Sequence, residues 1–442
     1  MGGKHCVVIG GGLAGLAAGY HLRMAGWRVT LVEATRRLGG RVKSHQFKRA
    51  PGLVCELGGE WIGHDHVEMQ RLCCAFGLTL QPHSYSNSFW NQRTNARLIA
   101  PGKWCLSPKS HRIWTKLAKR YKKFETSDYR KMDKVDWWTY LADLGFDRSD
   151  LLRRDLMDST DFGETIRQNS AYTAAAEYLS GRDMTVDLTD EMDYKVDGGN
   201  SRLVKALAKA IGPRNIRLGC RVTKITQKKS RVTVSCDGGT PIRADACVCA
   251  VPAHCLNHIV WTPKLPPKKR AAADQLQYAR ITKTAVLCSH RFWPRRSKSG
   301  YSVCTSLASD FCFDSTFGQK GHEGILCSYA IGDKADDIAS SPQKDLKNWI
   351  VEDVARANGH KWNEKKIAST AMAIGQMAWQ KDRFTGGAYA FYRPGQWFTV
   401  RPALRTPFEK VFFAGEHIAD WQGFMEGAVV TGKAAANAVI RS

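Results

Sequence analysis

The chain opens on a short apolar run, His5 to Ile9, that reads as a buried strand. Gly10, Gly11 and Gly12 interrupt it, a helical segment follows from Leu13 to Ala25, Gly26 ends that helix, and Trp27 to Val32 reads as the next strand. Farther on, Ile113, Trp114, Leu117, Tyr121 and Phe124 recur at helical spacing, with Lys116, Lys119, Arg120, Lys122 and Lys123 between them. Leu203, Leu207 and Ile211 mark a second amphipathic helix, with the apolar positions inward. Ile216 to Ile225 and Val232 to Cys236 read as strands, and so does the apolar stretch around Ala285, Val286 and Leu287. A last helix is predicted over Met425 to Ile440, with Ala428, Ala434, Ala435 and Ala438 as small residues on one face. Strand, helix and strand in succession predict an α/β fold with a parallel sheet.

No apolar run approaches the ~18 residues that span a bilayer, which excludes a transmembrane helix. No positive and apolar regions precede His5, so no secretory leader is expected, and the chain reads as cytoplasmic. At 442 residues, two or three domains are expected, and 43% hydrophobic with 24% charged residues excludes wholesale disorder. Fourteen cysteines without a CxxC pair point to reduced, packed thiols and to no metal site.

Charge changes the picture more. Sixty-six Lys and Arg against 41 Asp and Glu give a net charge of +25, which favours anionic partners. Three places are dense: the helix just described; Lys264, Lys268, Lys269 and Arg270 around Pro266 and Pro267; and Arg291, Arg295, Arg296 and Lys298 around Phe292, Trp293 and Pro294. Solvated faces are the ordinary reading. The sharper one is peripheral association with an anionic membrane, where raised salt releases the protein. No nucleic-acid module accompanies the charge, so specific nucleic-acid binding is not expected.

Gly10-x-Gly12-x-x-Gly15 after the first strand is a dinucleotide fingerprint. Gly10 makes the turn, Gly12 lets backbone approach a pyrophosphate at the helix N-terminus, and Gly15 lets the helix lie close to the strand. Glu33 ends the second strand about twenty residues on, where a carboxylate accepts ribose hydroxyls. Arg37-Leu38-Gly39-Gly40-Arg41 and Glu56-Leu57-Gly58-Gly59-Glu60-Trp61 suit an extended, permanently buried FAD better than a nicotinamide.

With these segments the chain resembles the flavin-containing amine oxidase family, which includes monoamine, polyamine and L-amino-acid oxidases. The likeness continues at Gly198-Gly199-Asn200, Ala250-Val251-Pro252, Trp379, Gly386-Gly387-Ala388-Tyr389, Phe412-Phe413-Ala414-Gly415-Glu416 and Trp421 to Ala428. Among its members, bacterial L-amino-acid oxidases and dehydrogenases are the most similar. The resemblance implies a Rossmann-type FAD-binding domain (1–80, 195–262 and 400–442) interleaved with an α+β substrate domain. The latter takes 81–194, mostly helical and rich in Trp104, Trp114, Trp137, Trp138 and Tyr140, and 263–399, a mixed sheet.

By the same resemblance, Gly58, Gly59 and Arg41 border the cofactor, Glu416 reaches its ribityl-pyrophosphate region, backbone at Val222 pairs with adenine, and Met425 meets the pyrimidine edge. The Met425 helix dipole then favours negative charge there. Lys283 matches the family lysine that holds a water at the flavin, Trp379 a tryptophan beside it, and Tyr389 and Phe424 the two aromatic walls before it. Ala388 stands where monoamine oxidases carry the flavin-linking cysteine, which implies non-covalent FAD. The implied reaction is two-electron oxidation of a C–N bond, an imine hydrolysing to a carbonyl compound and ammonia, with O2 or a quinone as final acceptor.

For substrate recognition, Glu60 and Trp61 are candidates. Glu60 either meets a cationic substrate group or is paired with a basic residue of the chain. Arg393, or another arginine that the sequence does not single out, is a candidate for a substrate carboxylate. A dehydrogenase for basic amino acids, a C–C desaturase of the carotenoid or porphyrinogen type, and a flavin-fold nucleic-acid binder are the alternatives; the oligomeric state is left open, with a homodimer as one option.

Overall fold

In the computed structural model, which describes residues 3–86, 88–91, 96–99, 106–179, 192–228, 231–294, 300–305, 309–357 and 367–442, the opening strand His5–Ile9 divides its side chains between two cores. Cys6 and Val8 join one and Val7 and Ile9 the other, the two-residue period of a strand. Both faces are covered, so the run is apolar throughout, as in parallel sheets buried on both sides. His5–Ile9 pairs in parallel with Arg28–Val32 and Ala246–Cys249, and Ile216–Arg217 and Val411–Phe413 complete the sheet at its two edges.

Helices Leu13–Met24, Ser201–Ile211 and Met425–Arg441 cover one face. Leu203, Leu207 and Ile211 are buried there, as their spacing predicts. The other face meets a four-stranded sheet of Ile242–Ala244, Arg231–Cys236, Val222–Lys228 and Val260–Thr262. The single strand predicted from Ile216 to Ile225 is two strands, one in each of these sheets. Between them Gly219, at φ 67°, turns the chain, and the Cys220 amide donates to the Glu33 carbonyl at 2.8 Å. That turn brings Val222 to the end of the strand that carries Glu33.

The alanines of the last helix do not all face inward: Ala435 is buried but Ala434 is exposed. The close approach is made at Gly432, where a Cβ would stand 2.2 Å from the Ala14 carbonyl oxygen. Gly432→Ala is expected to force the first and last helices apart and to destabilise the protein by about 1–3 kcal/mol, read as a lowered Tm. An unchanged Tm would mean that the two helices slide without loss.

The second large sheet runs Ala371–Ala378, Ile281–Cys288, Gly324–Ile331, Phe311–Asp314, Gly300–Thr305, Ser88–Asn91 and Ala96–Ile99. Its neighbours are antiparallel except where Gly300–Thr305 meets Ser88–Asn91 in parallel. The segment expected to be mostly helical therefore also supplies strands to this sheet. Its helices, among them Pro108–Tyr121, Trp137–Asp143 and Arg148–Phe162, close around Trp114, Trp137, Leu141 and Phe162. Trp104 lies outside the described residues.

Lys116, Lys119, Arg120, Lys122 and Lys123 are exposed, a solvated helix face. Lys269 is different. Its Nζ is buried, donates to the Ala403 and Leu404 carbonyls at 2.7 Å each, and sits 3.9 Å from the Phe413 ring centroid. It closes the end of the Val400–Arg405 helix and adds nothing to a surface patch. Arg295, Arg296 and Lys298 lie outside the described residues. Among the described residues, no helix is long and apolar enough to cross a membrane.

Candidate active site

A cavity of about 690 Å³ runs between the two large sheets. At one end its wall is Gly10, Gly12, Leu13, Glu33, Arg41 and Val222; at the other it is Lys283, Phe313, Tyr329, Trp379, Tyr389 and Phe424. The glycines at the first end are dictated by close approach. Gly10 sits at φ 101° with the Ala250 carbonyl oxygen 2.7 Å from where its Cβ would be. Gly15 does not line the cavity; a Cβ there would stand 1.9 Å from the Gly10 carbonyl oxygen, so it serves the contact between helix and turn. No side chain caps the Leu13–Met24 helix, so the N–H groups of its first turn are left to an anion.

Glu33 is tied down from both sides. Its Oε2 accepts from the Gly11 amide at 2.7 Å, and its Oε1 accepts from the Thr35 amide and hydroxyl at 2.8 and 2.7 Å. Glu416 links three separate segments: Arg41 Nη1 donates to its Oε1 at 2.6 Å, the Ala390 amide does so at 3.3 Å, and the Gly423 amide donates to Oε2 at 3.0 Å. Arg41 Nη1 also donates to the Ala388 carbonyl at 2.7 Å. The N-terminus of the Met425 helix is fixed to the second glycine pair through Asn200, whose Nδ2 donates to the Gly59 and Glu60 carbonyls at 2.9 Å each and approaches Met425 Sδ at 3.8 Å. Gly59 leaves that space open, since its Cβ would stand 3.1 Å from Met425 Cγ.

At the opposite end the chamber is aromatic, and its hydroxyls form a directed chain. Tyr389 donates to the Thr160 carbonyl at 2.9 Å, which leaves Tyr329 as the donor in the 2.9 Å contact between the two hydroxyls. Burial pushes both phenols up, so both stay protonated. Trp379 is buried and donates Nε1 to the Leu57 carbonyl at 2.8 Å. Gly423, at φ 90°, packs under the Tyr389 ring, with space for a Cβ 3.7 Å from Cδ2.

Beneath these rings lies a buried charge array. Lys195 Nζ donates to Glu60 Oε1 at 2.6 Å, and Lys283 Nζ donates to Glu60 Oε2 at 2.7 Å and to the Gly58 carbonyl at 3.1 Å. Burial alone would raise the Glu60 carboxyl, but Lys195 and Lys283 outweigh it and hold it below the usual carboxylate range. Burial likewise opposes the Lys283 ammonium, but Glu60 overrides it, and its pKa rises above that of ordinary lysine. The array carries two ammonium groups and one carboxylate, a net +1. Glu60 is thus paired with two basic residues of the chain while also lining the cavity. Lys195 also stands 4.1 Å from the centroid of Trp61, which lines the cavity with Glu60.

Of the predicted site residues, all but Gly15 and Arg393 line this one cavity. Arg393 is exposed and donates to Gln168 Oε1 at 2.8 Å. Sequence reasoning missed Lys195, Tyr329, Phe313 and Asp161. A lone lysine or tyrosine in a strand, or an aspartate near a helix end, carries no local mark; only the tertiary contacts single them out.

Residues 13–440 match the family described as flavin containing amine oxidoreductase. The chain is 27% identical to L-amino acid oxidase Lm29 of Lachesis muta, covering 99% of this chain and 87% of that one. It is 26% identical to the L-amino-acid oxidase of Vipera ammodytes ammodytes, covering 99% and 93%. The fold is shared with putrescine oxidase bound to putrescine (TM-score 0.85, 22% identity, 99% of both chains). It is also shared with cyclohexylamine oxidase from Brevibacterium oxydans IH-35A (TM-score 0.85, 23% identity, 99% of both).

Proposed function

Because the chain belongs to the flavin containing amine oxidoreductase family, we propose that it oxidises the C–N bond of an amine or L-amino acid, releasing an imine that hydrolyses to a carbonyl compound and ammonia. The observation that carries this reading is the continuity of the cavity, from the uncapped helix behind Gly12 to an aromatic chamber floored by a buried ammonium.

The residues present suit FAD. Gly12 leaves an open cradle, with no heavy atom nearer to its would-be Cβ than Gly40 Cα at 3.9 Å, beside a helix N-terminus that favours phosphate. In this reading Glu33 takes the ribose, Val222 the adenine, Arg41 and the two glycine pairs the pyrophosphate side, and the Met425 helix N-terminus the pyrimidine edge. Glu416 does not act alone on the cofactor: by joining Arg41, Ala390 and Gly423 it holds the walls of the cavity together. When bound, flavin supplies the two-electron acceptor for the hydrogen that leaves the substrate carbon.

The chain's own residues supply the rest. Tyr389 and Phe424 exclude water and present aromatic faces, which attract an incoming ammonium. The hydroxyl chain from Tyr329 through Tyr389 to Thr160 fixes the Tyr389 ring. Lys283, held by Gly58 and Glu60, has one of its three protons left for a small molecule in the cavity, and that is the site of a positioned water. Anaerobic bleaching of the visible flavin bands by amines or L-amino acids tests the reading; bleaching by none of a broad panel would overturn it. In air, peroxide release then marks oxygen as the acceptor, and reduction of an added quinone marks a dehydrogenase.

The cofactor is non-covalent in this reading. Ala388 has no nucleophile, and the Cys255 thiol in the cavity wall donates to the Phe384 carbonyl at 3.4 Å and is pushed up to about 12 by burial, which keeps it unreactive. Acid precipitation is expected to release the yellow chromophore into the supernatant; colour retained in the pellet would refute a non-covalent cofactor.

A further inference from the structure

The chamber has a second anionic feature that the reaction as described leaves unused. Asp161 lines the cavity in the last turn of the Arg148–Phe162 helix, next to Thr160, whose carbonyl accepts from Tyr389. Tyr178 donates to Asp161 Oδ2 at 2.7 Å, and among the described residues no hydrogen bond reaches Oδ1. The helix ends at Gly163 in the left-handed conformation, and no basic residue stands in its last turn. The partial negative charge of a helix C-terminus therefore adds to that of the carboxylate with no basic side chain in that turn to answer it.

The other carboxylates of the cavity wall are already bound. Glu60 is shared by Lys195 and Lys283, Glu416 is taken by Arg41, and Asp382 accepts from the Phe384 and Thr385 amides at 3.0 and 2.9 Å. Glu33 belongs to the opposite end.

We infer that Asp161 binds a second cationic group of the substrate, an ammonium or guanidinium distant from the C–N bond that is oxidised, so that the preferred substrates are diamines, guanidinoamines or basic L-amino acids. The inference rests on the C–N oxidation proposed above and names its substrate class. The electrostatics of the site support it. Burial raises the Asp161 carboxyl to about 7, Tyr178 opposes that, Glu177 and Asp158 add to it, and Arg154 reduces it. The hydroxyls of Tyr329 and Tyr389 are the other titratable groups coupled to it. A cation seated at Oδ1 relieves this unfavourable burial of charge, whereas a neutral substrate tail leaves it in place. A carboxylate of this kind discriminates by chemistry more than by shape, because it is left unpaired when an alkyl chain replaces the cation.

Two measurements on the flavin-loaded enzyme test this. In the first, α,ω-diamines are compared with n-alkylamines of equal length, and L-lysine and L-arginine with L-norleucine, for kcat/KM. The dicationic member of each pair is expected to lead by roughly 10- to 100-fold, the worth of one charge-assisted hydrogen bond in a closed site. Asp161→Asn, which keeps an acceptor for Tyr178, should erase that lead chiefly through KM, costing the substrates with a second cation far more than those without one. Asp161→Glu should restore part of it.

The second measurement needs no turnover: 1,4-diguanidinobutane should raise the Tm of the wild-type protein more than butylguanidine does, and Asp161→Asn should cancel the difference. A wild-type enzyme indifferent to the second charge in both measurements, or an Asn variant that weakens both classes equally, overturns the assignment. If no amine bleaches the flavin, the C–N reading fails on its own, and the thermal shift still decides whether Asp161 takes a cation.

Discussion

Lys283→Met is expected to lower the turnover number by about 10²-fold or more while leaving the flavin content near one per chain. The side chain lies in the Ile281–Cys288 strand, which is buried along its whole length, and it reaches the cavity between Gly58 and Glu60. Those two partners fix the ammonium in place, so its remaining proton points the same way in every turnover; such preorganisation is what a positioned water needs. Methionine has nearly the same length and fills the slot, so the loss reads the charge and the donor rather than a cavity. Lys283→Arg separates function from structure: it keeps a cation against Glu60, so it should recover most of the Tm lost in Lys283→Met but little of the turnover. A methionine variant that turns over within about 3-fold of the wild type would remove Lys283 from the reaction, and recovery of turnover together with Tm in the arginine variant would make its role structural.

Which parts of this site can be read in the chain follows from how local their physics is. Gly10, Gly12, Gly15 and Glu33 announce themselves because a strand, a tight turn and a helix N-terminus fix their geometry within about thirty residues. Lys283 is visible for a different reason, since a lysine in an otherwise apolar strand demands a partner. The partner itself is hidden. Lys195 meets Glu60 across 135 positions of sequence, so the same Glu60 reads equally well as a substrate contact until the fold supplies the ion pair.

Tyr329 is hidden in the same way, joined to Tyr389 and through it to Thr160 by contacts between a sheet, a return loop and a helix, and Asp161 follows Thr160 in that helix. Lys269 shows the opposite error, a lysine in a basic run that is withdrawn into the interior because two helix-end carbonyls await it. The strand predicted from Ile216 to Ile225 fails at Gly219, where hydrophobic periodicity continues but the backbone turns. In the last helix, the sequence draws the face of small residues through Ala428, Ala434, Ala435 and Ala438, whereas the close approach is at Gly432, because backbone-to-backbone approach selects for no side chain at all.

Glu60→Gln should cost about 3–5 kcal/mol of stability and introduce a pH dependence between neutral and pH 10 that Glu60 and Lys283 do not give the wild type. In the wild type one carboxylate answers two ammonium groups, and all three are nearly sealed from solvent, with 1%, 12% and 6% of the Glu60, Lys195 and Lys283 side chains exposed. Glu60 titrates below its ordinary value, so its contribution is complete above the unfolded carboxylate value of about 4.3 and is lost as pH falls through the folded one. Lys283 titrates above its ordinary value, so its contribution is complete below about 10.4 and is lost only as pH rises through the still higher folded value. From about pH 5 to 10 Glu60 and Lys283 therefore add no slope of their own.

With Gln in place, the buried Lys283 ammonium faces Lys195 without the Glu60 counter-charge that overrode its burial, and it then loses its proton more readily folded than unfolded. The unfolded chain binds more protons over that range, so the variant should gain stability as pH rises from neutral toward 10. Subtracting wild-type from variant stability at each pH cancels the groups that do not feel Glu60; Glu56, raised to about 7 by burial and also pushed up by Glu60, shifts with it, so the slope is read from about pH 8 to 10. Glu60→Gln with Lys283→Met removes one of the opposed charges and leaves Gln as an acceptor for Lys195, so the double variant should be more stable than Glu60→Gln alone. A Glu60→Gln variant within about 1 kcal/mol of the wild type, or one whose difference is flat with pH, would mean that water reaches the array and screens it, and that the ammonium at Lys283 is not held by Glu60.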